Sequence, residues 1–322
     1  MIFYFYCFEI VHLVWQVMEN LLGTTNSKTT INTVCRRVPA IEMLSSSIFI
    51  KGAIPTVAGD RRNCPQIPII RAGSLASAKY DNDTNEHYFC RKSANYWDKF
   101  YKRHKNKFFK NRHYLEKDWG NYFSVTDDDV NAKVLLEVGC GAGNSLFPLI
   151  AAYPKLFVHA CDFSLQAVTL VKSHSNFSEA QINVFLCDVA NDDLTEKVLP
   201  SSVDVVTLIF MLSAVSPNKM LSVVQNLKDV LKPNGHILFR DYAVGDSAQA
   251  KLENKNQMIS DNFYFRGDGT CSFYFSEDFL SSLFIRAGFN IVDMNTYCRQ
   301  MENRFHNISV QRRWIRAIFS KP

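Results

Sequence analysis

From residue 134 onward, apolar positions alternate between two rhythms. Short, nearly continuous apolar runs over 134–138, 157–161, 182–187, 203–209 and 236–240 read as strands buried on both faces. Between them, 143–152, 164–173 and 218–231 space apolar residues three and four apart, as one helix face requires. Lys232-Pro-Asn-Gly235 ends the last of these, because proline cannot continue a helix and Gly235 can take a left-handed cap. A further helix is expected over 276–287, with Ser276 as N-cap and Gly288 past its end. Runs at 289–294 and 312–320 follow without a long crossover, which predicts an antiparallel hairpin. Strands and helices in alternation give an α/β fold, a mostly parallel sheet with helices on both faces.

Residues 1–90 break this rhythm. Residues 1–18 are apolar and aromatic, but Glu9 and His12 interrupt them. A membrane span needs about 20 apolar residues, so none is expected here. The basic start and cleavage site of a secretory signal are also missing. Between residues 24 and 79 the acids are Glu42 and Asp60, against Lys28, Arg36, Arg37, Lys51, Arg61, Arg62, Arg71 and Lys79. With frequent Ser, Thr and Pro, that is the composition of an organellar transit peptide or a disordered basic arm. The plainer accounts are a gene-model artefact or a tail without function. Three regions result: an extension over 1–90, an aromatic and basic segment over 91–130, and the main domain over 131–322.

At 322 residues and 47% hydrophobic content, the chain can hold one large domain plus an extension. The net charge of +5 permits a nucleic-acid partner without demanding one. Nine cysteines are scattered without a CxxC pair or Cys/His ligand spacing, so no metal is expected. Reduced thiols fit the cytoplasm or nucleus, with organellar targeting by the extension as the alternative.

Chemistry enters at Leu135-Leu-Glu-Val-Gly-Cys-Gly-Ala-Gly-Asn144, where a strand runs into three alternating glycines. Without a Cβ the backbone can turn sharply and approach a ligand. Glu137 before the glycines suits a cationic or polyhydroxylated ligand, and the Lys-Ser/Thr ending of a phosphate loop is missing. Asp162 ends the second strand, where it can accept from a ribose diol. Asp188 follows the third strand, where it can meet an adenine amino group with Val189 against the ring. For each acid the plainer role is a turn or helix cap. Successive strand ends meet at the carboxyl edge of a parallel sheet, where such folds bind ligands. The trio resembles a Rossmann-like class I S-adenosylmethionine methyltransferase, which implies seven strands with an antiparallel C-terminal one.

Aromatic and basic residues interleave over Tyr96-Trp-Asp-Lys-Phe-Tyr-Lys-Arg-His104 and Phe108-Phe-Lys-Asn-Arg-His-Tyr114. Cations neutralise phosphates and rings stack on unpaired bases, so the mixture suits RNA. An amphipathic helix with a solvated basic face accounts for it equally well. These blocks, with the glycine loop, Ala160-Cys-Asp-Phe-Ser164, Ile209-Phe-Met-Leu-Ser-Ala-Val215, Leu231-Lys-Pro-Asn-Gly235, Phe239-Arg-Asp-Tyr242 and Arg266-Gly-Asp-Gly-Thr270, resemble the methyltransferase-like family that makes 3-methylcytidine in tRNA. The resemblance spans roughly residues 94–322.

That resemblance implies methylation of N3 of cytidine 32 in the anticodon loop, with S-adenosylmethionine as cofactor. It implies that Trp97 and Tyr101 close over the cofactor, and that Gly139, Gly141, Asp162, Asp188, Val189 and Ile209 line its pocket. Phe109, Lys110, Arg112 and His113 would face the RNA, Arg240, Asp241 and Tyr242 the reactive centre, and Arg266 and Asp268 would flank it. Asp241 is the expected catalytic carboxylate; its plainer role is a pair with Arg240 or a backbone cap. Family members commonly carry Asp and Trp where this chain has Asn111 and Tyr114. Seryl-tRNA synthetase is a candidate partner by the same resemblance. The competing readings are a protein or small-molecule methyltransferase, or a non-catalytic RNA-binding subunit of the same fold.

Overall fold

The computed structural model describes residues 82–124, 132–303 and 308–322. Residues 1–81 of the expected extension lie outside the described residues. From Asn82 the chain is helical, ahead of the boundary drawn at residue 90. The helices are α1 (Asn82–His104), α2 (Tyr114–Phe123), α3 (Leu146–Ala152), α4 (Leu165–Lys172), α5 (Pro217–Val230), α6 (Ser247–Asn254) and α7 (Glu277–Arg286). The strands are β1 (Val134–Val138), β2 (Phe157–Asp162), β3 (Ile182–Leu186), β4 (Val203–Ile209), β5 (Leu231–Tyr242), β6 (Met258–Ser260), β7 (Phe263–Phe265), β8 (Cys271–Phe273), β9 (Asn290–Asn303) and β10 (Ile308–Ser320). No helix among the described residues is long and apolar enough to cross a membrane.

One sheet has seven strands in the order β3-β2-β1-β4-β5-β10-β9. Strands β1 to β5 run parallel, and β10 is antiparallel to both β5 and β9. This is the expected α/β sheet with its antiparallel closing strand. The order reverses direction between β1 and β4, and there the crevice for a ligand opens at the carboxyl edge.

The apolar runs of the sequence become strands covered on both sides. Leu136, Val138, Val206, Leu208 and Phe239 face a layer that includes Met220, Val224 and Leu227 of α5 and Leu280 and Phe284 of α7. Their neighbours Leu135, Val205, Ile209 and Leu238 face Leu115 and Trp119 of α2 and Leu146 and Ile150 of α3. Successive residues of a strand point to opposite faces, so both layers draw on the same short runs. Helix starts follow local chemistry. Ser164 accepts from Ala167 N at the start of α4, and Ser276 accepts from Phe279 N at the start of α7.

Several boundaries depart from the sequence expectation. Helix α5 stops at Val230, but the left-handed residue after it is Asn234 (φ 60°), not Gly235. Asparagine tolerates that conformation almost as glycine does. Helix α6 and the small sheet β6-β7-β8 were not anticipated, because three-residue strands are too short to show alternation.

The loop after β5 is tied down by Asp246, whose side chain is fully buried. Its carboxylate accepts from Ala248 N (2.7 Å), Arg313 N (2.7 Å) and Arg312 Nε (2.9 Å), so it caps α6 and fastens it to β10. Removing one member of a buried ion pair strands the other charge. Asp246→Ala is expected to lower stability by about 3–5 kcal/mol in urea unfolding; a loss under about 1 kcal/mol would show that the pair carries no weight.

Candidate active site

The turn after β1 is built from glycines that a side chain would not permit. Gly139, Gly141 and Gly143 all lie in the left-handed region, at φ 69°, 54° and 81°. Gly139 N and Cys140 N both donate to Cys161 O, at 2.8 and 3.0 Å, which fastens the turn to β2. A Cβ on Gly139 would collide with Met211 Cγ, and one on Gly141 would lie 2.5 Å from the Tyr101 hydroxyl. The loop is thus pressed from one side by the segment after β4 and from the other by α1.

Helix α1 reaches this position as a strap over the carboxyl edge. Its Glu86 accepts from Ser216 and Asn218 at the head of α5. Phe89 stacks on Phe265 with ring centres 4.9 Å apart, and the Tyr96 ring occupies the space a Cβ on Gly269 would need. Asp98 accepts from Ser164 Oγ and from Gln166 N (3.1 Å) at the start of α4. Trp97 stacks against Tyr101 at 5.8 Å, and Tyr101 is buried.

Three carboxylates stand at or near the carboxyl ends of β1, β2 and β3. Asp162 is buried and accepts from Gly141 N and Ser164 N, both at 2.9 Å. Burial raises its carboxyl to about 6, against the pull of those backbone donors. Asp188 is half-buried and accepts from Ala190 N (3.1 Å) and from the Asn191 amide. Both acids therefore shape the turns they stand in, the plainer role weighed for each. Val189 beside Asp188 is buried. Glu137 is buried within β1, and burial lifts it to about 7, moderated by nearby Arg112 and by the Ser145 hydroxyl.

The aromatic and basic block divides into an inward and an outward half. Arg112, expected to face RNA, points inward: its Nη1 donates to Ile209 O (3.0 Å) and Ser145 Oγ (3.2 Å). Its guanidinium also lies 5.4 Å from the centre of the Phe210 ring. Asn144 of the glycine loop donates to Phe109 O (3.1 Å) and Asn111 Oδ1 (3.2 Å). Phe109 packs on Phe108 and Phe100, whereas Lys110 and His113 are exposed.

At the end of β5 the three expected catalytic residues separate. Arg240 is committed elsewhere: it pairs with Asp118 at 2.7 Å and lies 4.0 Å from the Tyr114 ring centre, with Tyr297 beyond. Asp241 points to the opposite face, fully buried, and accepts from Ser213 N and Tyr242 N at 2.9 Å each. It is a backbone anchor and makes no pair with Arg240. Burial raises its carboxyl to about 6. Tyr242 is half-buried, next to Phe210 at 5.0 Å and Tyr274 at 5.8 Å, with the Arg266 guanidinium 5.7 Å from its ring. Asp268 accepts from Thr270 N and Oγ1 and so closes the turn that carries Arg266. Phe210 was not singled out in the sequence. It adopts φ 55°, a conformation that costs a bulky residue about 1–3 kcal/mol.

The methyltransferase domain family matches residues 136–237. The tRNA N(3)-cytidine methyltransferase METTL6 of Rattus norvegicus is 38% identical over 266 residues, 81% of this chain and 92% of that protein. This chain belongs to the tRNA N(3)-cytidine methyltransferase family. The tRNA(Thr) (cytosine(32)-N(3))-methyltransferase of Saccharomyces cerevisiae is 38% identical over 71% of this chain and 37% of its own length. A solved SAM-dependent methyltransferase from Anabaena variabilis shares the fold, with a TM-score of 0.52, 14% identity, and 71% and 95% of the two chains covered.

In this tRNA N(3)-cytidine methyltransferase the residues around the glycine loop fit S-adenosylmethionine. Glu137 Oε2 and Trp97 Nε1 are buried without a protein partner, an acceptor and a donor beside the glycine loop. Buried polar atoms are ordinarily paired, so both are open to a ligand carrying an ammonium group and hydrogen-bonding oxygens. Gly139 to Gly143 would admit that ligand's close approach.

Glu137 also sets a pH dependence. Its folded-state pKa of about 7 lies above the ordinary value, so the stability it contributes is complete below about 4.5 and is lost as pH rises through 7. Glu137→Gln removes that loss. Without cofactor, the variant is expected to melt higher than wild type at pH 8 and close to it at pH 5. Its affinity for S-adenosylmethionine is expected to fall about tenfold or more, as for a lost charge-assisted bond. Calorimetry and thermal melting check both; unchanged affinity would remove Glu137 from the site.

Proposed function

We propose that this chain methylates N3 of cytidine 32 in the anticodon loop of tRNA, with S-adenosylmethionine as the methyl donor. One observation carries the reading. The run from Phe108 to Tyr114 is bonded directly to the glycine loop through Asn144 and Arg112, while Lys110 and His113 of the same run face outward. A surface with cations and rings is thereby fixed at the rim of the cofactor pocket, where a flipped base must enter.

The chemistry asks little proton work of the protein. N3 of neutral cytosine carries a lone pair, so no residue need remove a proton to make the nucleophile. When bound, S-adenosylmethionine supplies a methyl group on a sulfonium, so displacement moves the positive charge onto the base. The chain's residues have to bind, orient and exclude water. Trp97 and Tyr101 cover the pocket, and Met211 presses on its floor at Gly139. Asp241 holds Ser213 and Tyr242 by their backbone N–H groups, and its negative charge favours a base that turns cationic.

With its carboxyl at about 6, Asp241 is mostly ionised at neutral pH and becomes neutral as pH falls through 6. At saturating cofactor, kcat is expected to drop on the acid side with a midpoint near 6. Asp241→Asn is expected to lower kcat by about 100-fold, a typical loss for one electrostatic group, with cofactor affinity changed less than about threefold. Equal loss of both, or no loss, would reduce Asp241 to a structural anchor.

Methyl transfer from labelled S-adenosylmethionine to total tRNA from cells lacking this enzyme, followed by nucleoside analysis, tests the function itself. 3-Methylcytidine supports the reading, and no transfer, with or without added seryl-tRNA synthetase, overturns it. That synthetase is proposed as a presenting partner; full activity of the purified enzyme alone would remove the need for it. The compartment is proposed as cytoplasm or nucleus, with residues 1–90 as a candidate organellar address. A fluorescent fusion of those residues that stays diffuse would dismiss the address.

A further inference from the structure

Phe210 is held in a position that no other part of the site accounts for. It follows the last residue of β4, a central strand, and adopts φ 55°. The other non-glycine residues in that region are Lys105, Ser201, Asn234, Asn256 and Asn262, so Phe210 is the aromatic one among the described residues. In an extended strand Ile209 and residue 210 would face opposite layers. Here both pack against the same apolar cluster, so the left-handed turn redirects the ring. The turn is fixed by Phe210 N donating to Arg240 O at 2.8 Å.

The redirected ring touches two parts of the site. The Arg112 guanidinium, bonded to Ile209 O and Ser145, lies 5.4 Å from its centre. The Tyr242 ring lies 5.0 Å away and is tilted by 45° to it, so it does not stack on it. The next residue, Met211, presses on Gly139 of the cofactor loop. The ring itself is half-buried. A planar group on this ring would lie near Tyr242, which Arg266 also approaches, and one residue away from the Met211 contact with the glycine loop.

We propose that Phe210 is the stacking platform for the flipped acceptor cytosine. It would select for an unpaired, planar base and set its height relative to the methyl donor. The inference rests on the tRNA reading above. A ring is required for this role, whereas apolar bulk alone suffices for packing.

The test compares Phe210→Leu with Phe210→Tyr in the full-length chain. Leu keeps the bulk and removes the ring; Tyr restores the ring. Phe210→Leu is expected to lose about 10- to 100-fold in kcat/KM toward tRNA, the size of one lost base–aromatic stack. Phe210→Tyr should recover most of that activity. Binding of S-adenosylhomocysteine and the melting temperature should stay near wild type in both. A second readout is binding of tRNA with an abasic nucleotide at position 32. Wild type should prefer intact tRNA over the abasic form, and Phe210→Leu should lose that preference. Full activity of Phe210→Leu, a Tyr variant no better than Leu, or cofactor binding lost in parallel would each overturn the proposal. If wild type methylates no tRNA, the tRNA reading falls and this inference with it. If wild type and Phe210→Leu methylate alike, this inference alone falls.

Discussion

The site depends on one steric condition: no side chain stands at positions 139 and 141. The left-handed turn there leaves room for Met211 on one side and for the Tyr101 hydroxyl on the other. Those two contacts bring the end of β4 and the strap α1 to the same spot. Everything else at the carboxyl edge is arranged around that convergence. Asp98 fixes the strap to α4, Glu86 fixes it to α5, and Tyr96 fixes it to the hairpin that carries Arg266. A side chain in the turn would therefore do more than crowd a ligand. At 139 it would press on Met211 after β4, and at 141 on Tyr101 of the strap.

Around this turn the protein buries three carboxyls, Glu137, Asp162 and Asp241, and burial raises each of them. Asp162 and Asp241 are compensated by backbone N–H groups, which favour the charged carboxylate against the cost of burial. Glu137 differs, since one of its oxygens has no protein partner. A buried acceptor left open is costly to the free protein and favourable to a cationic ligand. The same residue thus weakens the empty fold and strengthens the bound one.

Much of this was legible in the sequence where a regularity repeats. The strand-and-helix alternation located β1 to β5, because strands covered on both faces must be apolar at nearly every position. The glycine loop was legible because few other residues turn that way. Side-chain direction was not. Arg112 and Arg240 look like RNA and catalytic cations in a linear reading, yet each is held by partners distant in the chain: Ile209 O for one, Asp118 and Tyr114 for the other. Their partners lie 97 and 122 residues away for Ile209 and Asp118, beyond any local pattern. Phe210 gave no signal because nothing in a run of apolar residues marks the one with inverted φ. The sheet β6-β7-β8 was missed because three residues cannot display a period of two.

The inward turn of Arg112 changes how the aromatic and basic block has to be understood. Composition posed two accounts, an RNA surface or an amphipathic face packed on the core. The structure uses both within a few residues. Arg112 and the backbone of Phe109 are bonded to the rim of the cofactor loop, while Lys110 and His113 stay exposed beside them. The inward contacts run to Asn144 and Ser145 after the glycine loop and to Ile209 at the end of β4. One short segment thus carries both an exposed cationic face and the hydrogen bonds that fix it to the carboxyl edge of the sheet.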